Sequence, residues 1–287
     1  MLNFFKETFT NKGVEKNKSK TETQIEKNNK TPDKLRLYGD KVIDLFCKEF
    51  KVEGKEKIEE LHKQNPDQKF IISAAHLNNL DVPAALKVWG NDFNIHLTGE
   101  SVLLEKMKYL GQRLMINLAG KDNFTPLEYK ESENGKHGSF NSDNFNELGE
   151  IIEKGKTPWI AAHPFALDGK MKRPSIGPVY LAAKTGAMLI PTALDVRGGS
   201  VNLEGALERT KTLMDRSLAT YHIGTPFSVP AIDVSIVEKV LQSRKNGEEV
   251  NSEDFEKFKS VINSLHQQAD EFGKQIETLL PEDKRRE

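Results

Sequence analysis

From about Leu35 onward the apolar positions of this chain fall into short runs separated by polar, turn-forming stretches, and the period within each run predicts its element. LRLYGDKVIDLFCKEF reads at helical spacing. KIEELHKQ reads as a second, exposed helix that Asn65-Pro66-Asp67 breaks. The run KFIISAA is short enough for a buried strand. Asp81-Val82-Pro83 then opens a helix through AALKVW, with Asp81 placed to cap free N–H groups, Pro83 tolerated in the first turn and Gly90 as the stop. FNIHLTG, ESVLLEKMKYLG and RLMINLAG read as strand, helix and strand. The polar, Gly- and Asn-rich stretch from Lys121 to about Ser142 predicts a surface excursion. FNELGEIIEKG, PWIAA, PVYLAAKTG and AMLIPTALDV follow as helix, strand, helix and strand, and ATYHIGTPF is one further strand. A long helix starts at Asn251 or Ser252, where Phe255, Phe258, Ile262, Leu265, Ala269, Phe272, Ile276 and Leu279 keep to helical spacing. It packs along the domain or offers a coiled-coil seam, and the spacing leaves both open.

Strands alternating with helices of this length predict an α/β domain with a mostly parallel sheet flanked by helices. This domain is expected over 35–287, behind a flexible polar tail over 1–34. Thr10 to Pro32 is nearly all Lys, Glu, Asn and Thr, with too little apolar surface to offset the cost of ordering. Ahead of it, in MLNFFKETF, Leu2, Phe5 and Phe9 form one helical stripe; an interfacial anchor at a membrane surface and a start that packs on the domain both fit.

Composition narrows the function classes. Across 287 residues, 42 Lys and Arg stand against 43 Asp and Glu, so no basic excess marks nucleic acid as the main partner. The one cysteine, Cys47, leaves no internal disulfide framework and no multi-cysteine zinc site, and fits the cytoplasm. No run has the length of a membrane span, and the N-terminus lacks the apolar stretch of a secretory signal.

Candidate chemistry concentrates at strand ends. Ala75-His76-Leu77-Asn78-Asn79-Leu80-Asp81 places a histidine where a buried strand stops and an aspartate where a helix starts, the edge at which open α/β sheets hold ligands. In a continuous helix positions five apart would diverge by about 140°. A His76–Asp81 pair therefore requires a turn, which Asn78-Asn79 favours. Asp81 could then take one imidazole N–H and leave the other nitrogen free as a base. The spacing also arises by chance, so the pairing alone leaves a catalytic and a purely structural reading open. A second strand end, Trp159-Ile160-Ala161-Ala162-His163, leads into a loop in which Asp168-Gly169 signals a turn and Lys170, Lys172 and Arg173 form a basic group able to hold an anion. His163 reads as a further polar group of the site or as a hydrogen-bonded strand-end histidine. No phosphate-binding GxxxxGK[ST] loop, GxGxxG turn or GxSxG elbow occurs, and no closely spaced His pair supports a metal.

Together these segments resemble the glycerolipid acyltransferases of the 1-acylglycerol-3-phosphate (lysophosphatidate) acyltransferase, PlsC-like type. The family's first motif, His-x4-Asp at a strand end, is matched by His76 and Asp81. EIIEKGKTPWIAA is similar to its third-motif strand, DGKMKRPSIGPVYLAAKTGAMLIPTAL to its segment running to the fourth-motif Pro, here Pro191, and Ile223-Gly224-Thr225-Pro226-Phe227 to the strand that follows. Leu279-Leu280-Pro281-Glu282-Asp283-Lys284-Arg285 resembles the closing Leu-Pro-x-x-Tyr-Arg. The resemblance runs in order from about Phe70 to Arg286. It implies an O-acyltransferase in which His76 deprotonates an acceptor hydroxyl, Asp81 orients His76, and the acyl donor is a thioester of coenzyme A or acyl carrier protein, used as co-substrate with no resident cofactor or metal. The implied partners are that donor and a lysophospholipid or other lipid acceptor, met peripherally at the cytoplasmic face of a membrane.

Three positions depart from the family pattern. Ala162-His163-Pro164-Phe165-Ala166-Leu167 stands where the third motif has Phe-Pro-Glu-Gly-Thr-Arg, so its Glu and phosphate-binding Arg are missing; Gly120-Lys121 stands near the second-motif Arg; and Asn78 stands where Ser is common. The acceptor site implied for this chain therefore draws on Asn78, Lys121, His163, Asp168, Lys170 and Arg173. A non-catalytic lipid-binding or scaffolding relative with the same fold is the competing expectation.

Overall fold

The computed structural model describes residues 30–100, 110–127, 142–166, 168–198 and 216–286. The N-terminal stripe and most of the polar tail, the body of the expected helix ESVLLEKMKYLG, and most of the expected excursion before Ser142 lie outside the described residues. The elements in chain order are α1 (Asp33–Phe46), β1 (Cys47–Glu53), α2 (Lys55–Gln64), β2 (Phe70–Ala74), α3 (Asp81–Trp89), β3 (Ile95–Glu100), α4 (Leu110–Ala119), β4 (Phe124–Leu127), α5 (Ser142–Glu153), β5 (Thr157–Ala161), α6 (Gly177–Thr185), β6 (Met188–Arg197), β7 (Ser217–Ile223), α7 (Ser235–Lys245) and α8 (Ser252–Thr278).

The strands form one seven-stranded sheet in the order β1-β7-β6-β2-β5-β3-β4. β6, β2, β5, β3 and β4 run parallel, β7 is antiparallel to β6, and β1 is parallel to β7. This is the expected α/β class with a mostly parallel sheet. The period-two alternation of the strands sorts the apolar residues to two faces. Phe70, Ile72 and Ala74 of β2 join Trp159, Ile190, Leu194 and Tyr221 beneath α1, α3 and α4, while Ile71, Ala75, Ile160 and Leu189 meet α5, α6, α7 and α8 on the other side. Burial on both faces is why the central strands read as continuous apolar runs.

Four local expectations are corrected. RLMINLAG is helix, not strand: Met115, Ile116 and Ala119 sit three and four apart and bury one stripe against the sheet. The strand falls instead on Phe124–Leu127, inside the stretch expected as an excursion, where Phe124 and Thr125 are buried and pair with β3. The opening helix stops at Phe46, and Cys47–Glu53 leaves it as an edge strand held by β7. α7, which no apolar periodicity had marked, buries only Val237 and Val240. The long helix packs along the domain through Leu265, Ala269, Phe272 and Ile276.

Gly54, between β1 and α2, has φ 85°, and a Cβ there would stand 2.2 Å from the carbonyl oxygen of Ile223. Gly54→Ala is expected to lose roughly 1–3 kcal/mol through the backbone alone, with the clash on top. Gly120, at φ 72° with nothing near its Cβ position, is the comparison. Urea midpoints should fall further for Gly54→Ala than for Gly120→Ala; equal losses would mean that the end of β7 yields freely.

Candidate active site

β2 and β5 are neighbours, yet the chain leaves them toward opposite faces. After β2 it turns to α3 on one side, and after β5 it reaches α6 on the other. A crevice opens at such a switch point, outside the carboxyl ends of the strands. His76 and His163 both lie there, each just past its strand.

The segment 76–81 is a tight turn. The Asn78 side-chain oxygen accepts the Leu80 N–H at 2.9 Å, and the Asn78 carbonyl accepts the Asp81 N–H at 3.4 Å. Asp81 is the first residue of α3, but its carboxylate does not cap the helix as the sequence suggested. It turns back: Oδ2 accepts the backbone N–H groups of Leu77 (2.9 Å) and Asn78 (3.0 Å) and lies 3.0 Å from Nδ1 of His76. Asp81 is 2% exposed, whereas the His76 side chain is 25% exposed. Burial pushes the Asp81 carboxyl above its usual range, and the His76 hydrogen bond and the two backbone N–H groups pull it back. With Nδ1–H given to Asp81, His76 presents a bare Nε2. Edge-on contacts with Trp159 (5.6 Å between ring centroids) and Phe165 (4.8 Å) fix the imidazole plane. Neither aromatic was predicted as part of the site; both come from the strand-end segment that carries His163.

His163 is 1% exposed. Its Nδ1 lies 2.7 Å from the Pro164 carbonyl, so Nδ1–H is the donor and Nε2, buried without a partner among the described residues, is left as an acceptor. Burial holds its pKa down at about 4, with the charges of His76, Lys172 and Arg286 acting the same way. His96, buried on β3 and 2.9 Å from the Thr125 hydroxyl, is also held at about 4, by burial and the charge of Lys156. Unfolded, both titrate near 6.5. Their folded values are depressed, so the stability they contribute is present above about pH 6.5 and is lost as pH falls toward 4. The urea midpoint should drop across that window and drop less in His96→Gln; a midpoint constant from neutrality down to about pH 4.5 would contradict it.

The basic loop borders a cleft of about 860 Å³ whose walls include Lys170, Lys172, Arg173, Asp270, Glu277 and Arg286. His76 and His163 are not in that lining, but Lys172 and Arg286 are near enough for their charges to act on His163. Asp168, about half exposed, pairs with Lys172 and accepts the Lys170 N–H at 3.1 Å, which folds the loop. Arg173 and Arg286 share Asp270 (3.4 and 3.6 Å), and Arg286 also grips Glu277. The Lys284 carbonyl accepts the Met171 N–H at 2.9 Å, and its ammonium reaches buried Asp195 at 2.7 Å, so the C-terminal segment clasps this loop. The fold thus brings His76, Asp81, Asn78 and His163 together, with Asp168, Lys170 and Arg173 alongside. It does not bring Lys121 there. Lys121 precedes β4, in a turn whose Asp122 and Asn123 bond Lys156 ahead of β5, at the opposite end of the parallel strands. Arg286, from the C-terminal segment, is a further cation of the cleft lining that the sequence did not mark. Among the described residues no group of three or more His, Cys, Asp or Glu is gathered as a metal-ligand set.

No protein-family model matches the chain, and comparison with curated proteins finds no relative. Among solved structures it is similar to the 1-acyl-sn-glycerophosphate (LPA) acyltransferase PlsC from Thermotoga maritima, at 16% identity and a TM-score of 0.44 over 83% of this chain and 77% of that one. Among the described residues no helix is long and apolar enough to cross a membrane.

Proposed function

We propose that the protein is an O-acyltransferase that moves a fatty acyl group from a thioester of coenzyme A or acyl carrier protein to a hydroxyl of a lysophospholipid or related lipid. The observation that carries this is a buried carboxylate holding Nδ1 of a partly exposed histidine, with the bare Nε2 at the crevice. Such a base serves either a side-chain nucleophile or a substrate hydroxyl. The sole cysteine, Cys47, is buried at the join of α1 and β1, and Ser73 of β2 is fully buried on the strand itself. We assign the nucleophile to the substrate hydroxyl, as the His-x4-Asp resemblance implies. Nε2 takes the acceptor's hydroxyl proton as its oxygen attacks the thioester carbonyl, and Asp81 offsets the imidazolium charge that forms. The tetrahedral intermediate then expels the thiolate, which takes the proton back from His76, leaving an ester and a free thiol. Thioesters are already activated, so the reaction asks for a base, an oxyanion donor and two binding grooves. The cleft near His163, lined by Lys170, Lys172, Arg173 and Arg286 against Asp168, Asp270 and Glu277, suits an acceptor whose anionic head group would compete for those cations, reached at the cytoplasmic face of a membrane.

The test is thiol release from a panel of acyl-coenzyme A donors with and without a mixed lipid extract, with acylated lipid products read by mass. Extract-dependent release with a matching ester supports the reading. Thiol release without an acylated product would replace it with thioester hydrolysis. Liposome binding with no release from coenzyme A or carrier-protein donors would replace it with a lipid-binding role.

A further inference from the structure

Behind the His76–Asp81 pair, away from the crevice, the sheet face under α3 holds polar atoms that have no partner at full hydrogen-bond geometry among the described residues. They are Oδ1 of Asp81, the hydroxyls of Thr192 and Tyr221, and the indole N–H of Trp89. All four residues are at least 98% buried. Buried polar groups in folded proteins are almost always partnered, and each one left alone costs about 1–3 kcal/mol, so four at one place call for an account.

They are neighbours. Thr192 sits in register with Ala74, and its carbonyl accepts the Ala75 N–H, which fixes it beside the strand end that carries His76. Tyr221 is on the adjacent strand β7, opposite Leu194, two residues along β6 and on the same face. Burial raises the Tyr221 pKa, the adjacent Thr192 and Trp89 side chains oppose the rise, and the Asp81 carboxylate is close enough to add to it. Trp89 ends the helix that Asp81 begins.

Their chemistry closes without remainder. An indole N–H only donates, hydroxyls donate and accept, and a carboxylate only accepts. A line running Trp89 N–H to Tyr221 O, Tyr221 O–H to Thr192 O, and Thr192 O–H to Asp81 Oδ1 gives every donor one acceptor. It has a single direction, toward the carboxylate, and a buried water can bridge any interval too long for a direct bond.

We infer that Thr192 and Tyr221 are positioning residues for His76, acting through Asp81: the line they form with Trp89 ends on Oδ1 and keeps the buried carboxylate ionised. The inference rests on the proposed base role of His76. Oδ2 is committed to His76 and the turn, and burial favours the neutral acid. Without a donor on Oδ1 the carboxyl takes a proton from water and keeps it, offering it in a hydrogen bond to a bare Nδ1, so the single hydrogen of the neutral His76 ring sits on Nε2, which is then no base.

The experiment uses the full chain labelled with ¹⁵N histidine, comparing wild type, Thr192→Val, Tyr221→Phe and the hydroxyl-retaining Thr192→Ser. The one-oxygen changes leave packing almost as it was, and the amide spectrum checks the fold. At neutral pH wild type and Thr192→Ser should show His76 protonated on Nδ1, Thr192→Val a shift toward Nε2–H, and Tyr221→Phe a smaller shift, because it leaves the Thr192 hydroxyl on Oδ1 and removes only the group that aims it. In the transfer assay Thr192→Val should lose on the order of tenfold in kcat with KM unchanged, part of the roughly 10²–10⁴-fold that a general base supplies. An unshifted tautomer in Thr192→Val overturns the inference whatever the rates do. Because the tautomer is read without substrate, a wild-type chain with no transferase activity would refute the proposed reaction and leave this result to be judged separately.

Discussion

His76→Ala should reduce acyl transfer to the uncatalysed background, a loss on the order of 10²–10⁴-fold in kcat, while donor and acceptor still bind. Removing the imidazole removes the atom that accepts the hydroxyl proton, and the bare nitrogen of His163 is buried to 1% exposure and cannot take its place at the crevice. The fold should survive, because His76 is a quarter exposed and the turn is held independently by the Asp81 bonds to Leu77 and Asn78. Some stability is lost, since Asp81 keeps its burial with one donor fewer, a cost of roughly 1–3 kcal/mol. His76→Asn separates the two effects. Its side-chain amide can stand where Nδ1 stood and donate to Asp81, yet it is no base. The asparagine variant should therefore be nearly as stable as wild type and as inactive as alanine. Wild-type turnover in either variant would remove His76 from the chemistry.

How much of this was legible in the sequence depended on how local the cause was. The strand, turn and helix around His76 and Asp81 could be read because two buried runs and an Asn-Asn turn lie within one short stretch. The direction of the Asp81 carboxylate could not, because a first-turn aspartate serves helix N–H groups or a preceding loop equally well, and only the turn geometry decides. Lys121 was misplaced for a topological reason: a lysine beside a parallel strand lies at one end of the sheet or the other according to whether it precedes or follows the strand, and β4 begins after it. The strand itself was missed because Phe124 and Thr125 are its only buried residues, in a polar neighbourhood. Arg286 reaches the cleft from the far end of the chain, after a long helix that gives no hint of where it stops. Trp159 and Phe165 were indistinguishable from core residues, since an aromatic that packs on a histidine ring has the same apolar character as one that packs on leucine.

Asp81→Asn is the sharper test, because here rate and stability should move apart. Burial already strains the Asp81 charge, so a neutral amide of the same shape should leave stability unchanged or slightly raised at neutral pH. The rate should nevertheless fall by about 10²–10⁴-fold. If the amide oxygen stays on the Leu77 and Asn78 N–H groups it still accepts from His76, but it carries no charge to offset the imidazolium. If the amide flips, its NH₂ faces Nδ1, which must then accept, and the proton moves to Nε2, where it blocks the attack on the acceptor hydroxyl. The unflipped amide keeps both turn bonds, whereas a flipped one would set its NH₂ against the Leu77 and Asn78 N–H groups, so the unflipped form is expected and the signature is a thermal midpoint at or above wild type beside a rate near that of His76→Ala. Combining the two substitutions should cost little more than either alone, because both remove one function. A variant that kept full turnover would reduce Asp81 to a residue that shapes the turn, and with it the line of buried hydroxyls behind it would have no carboxylate charge to serve.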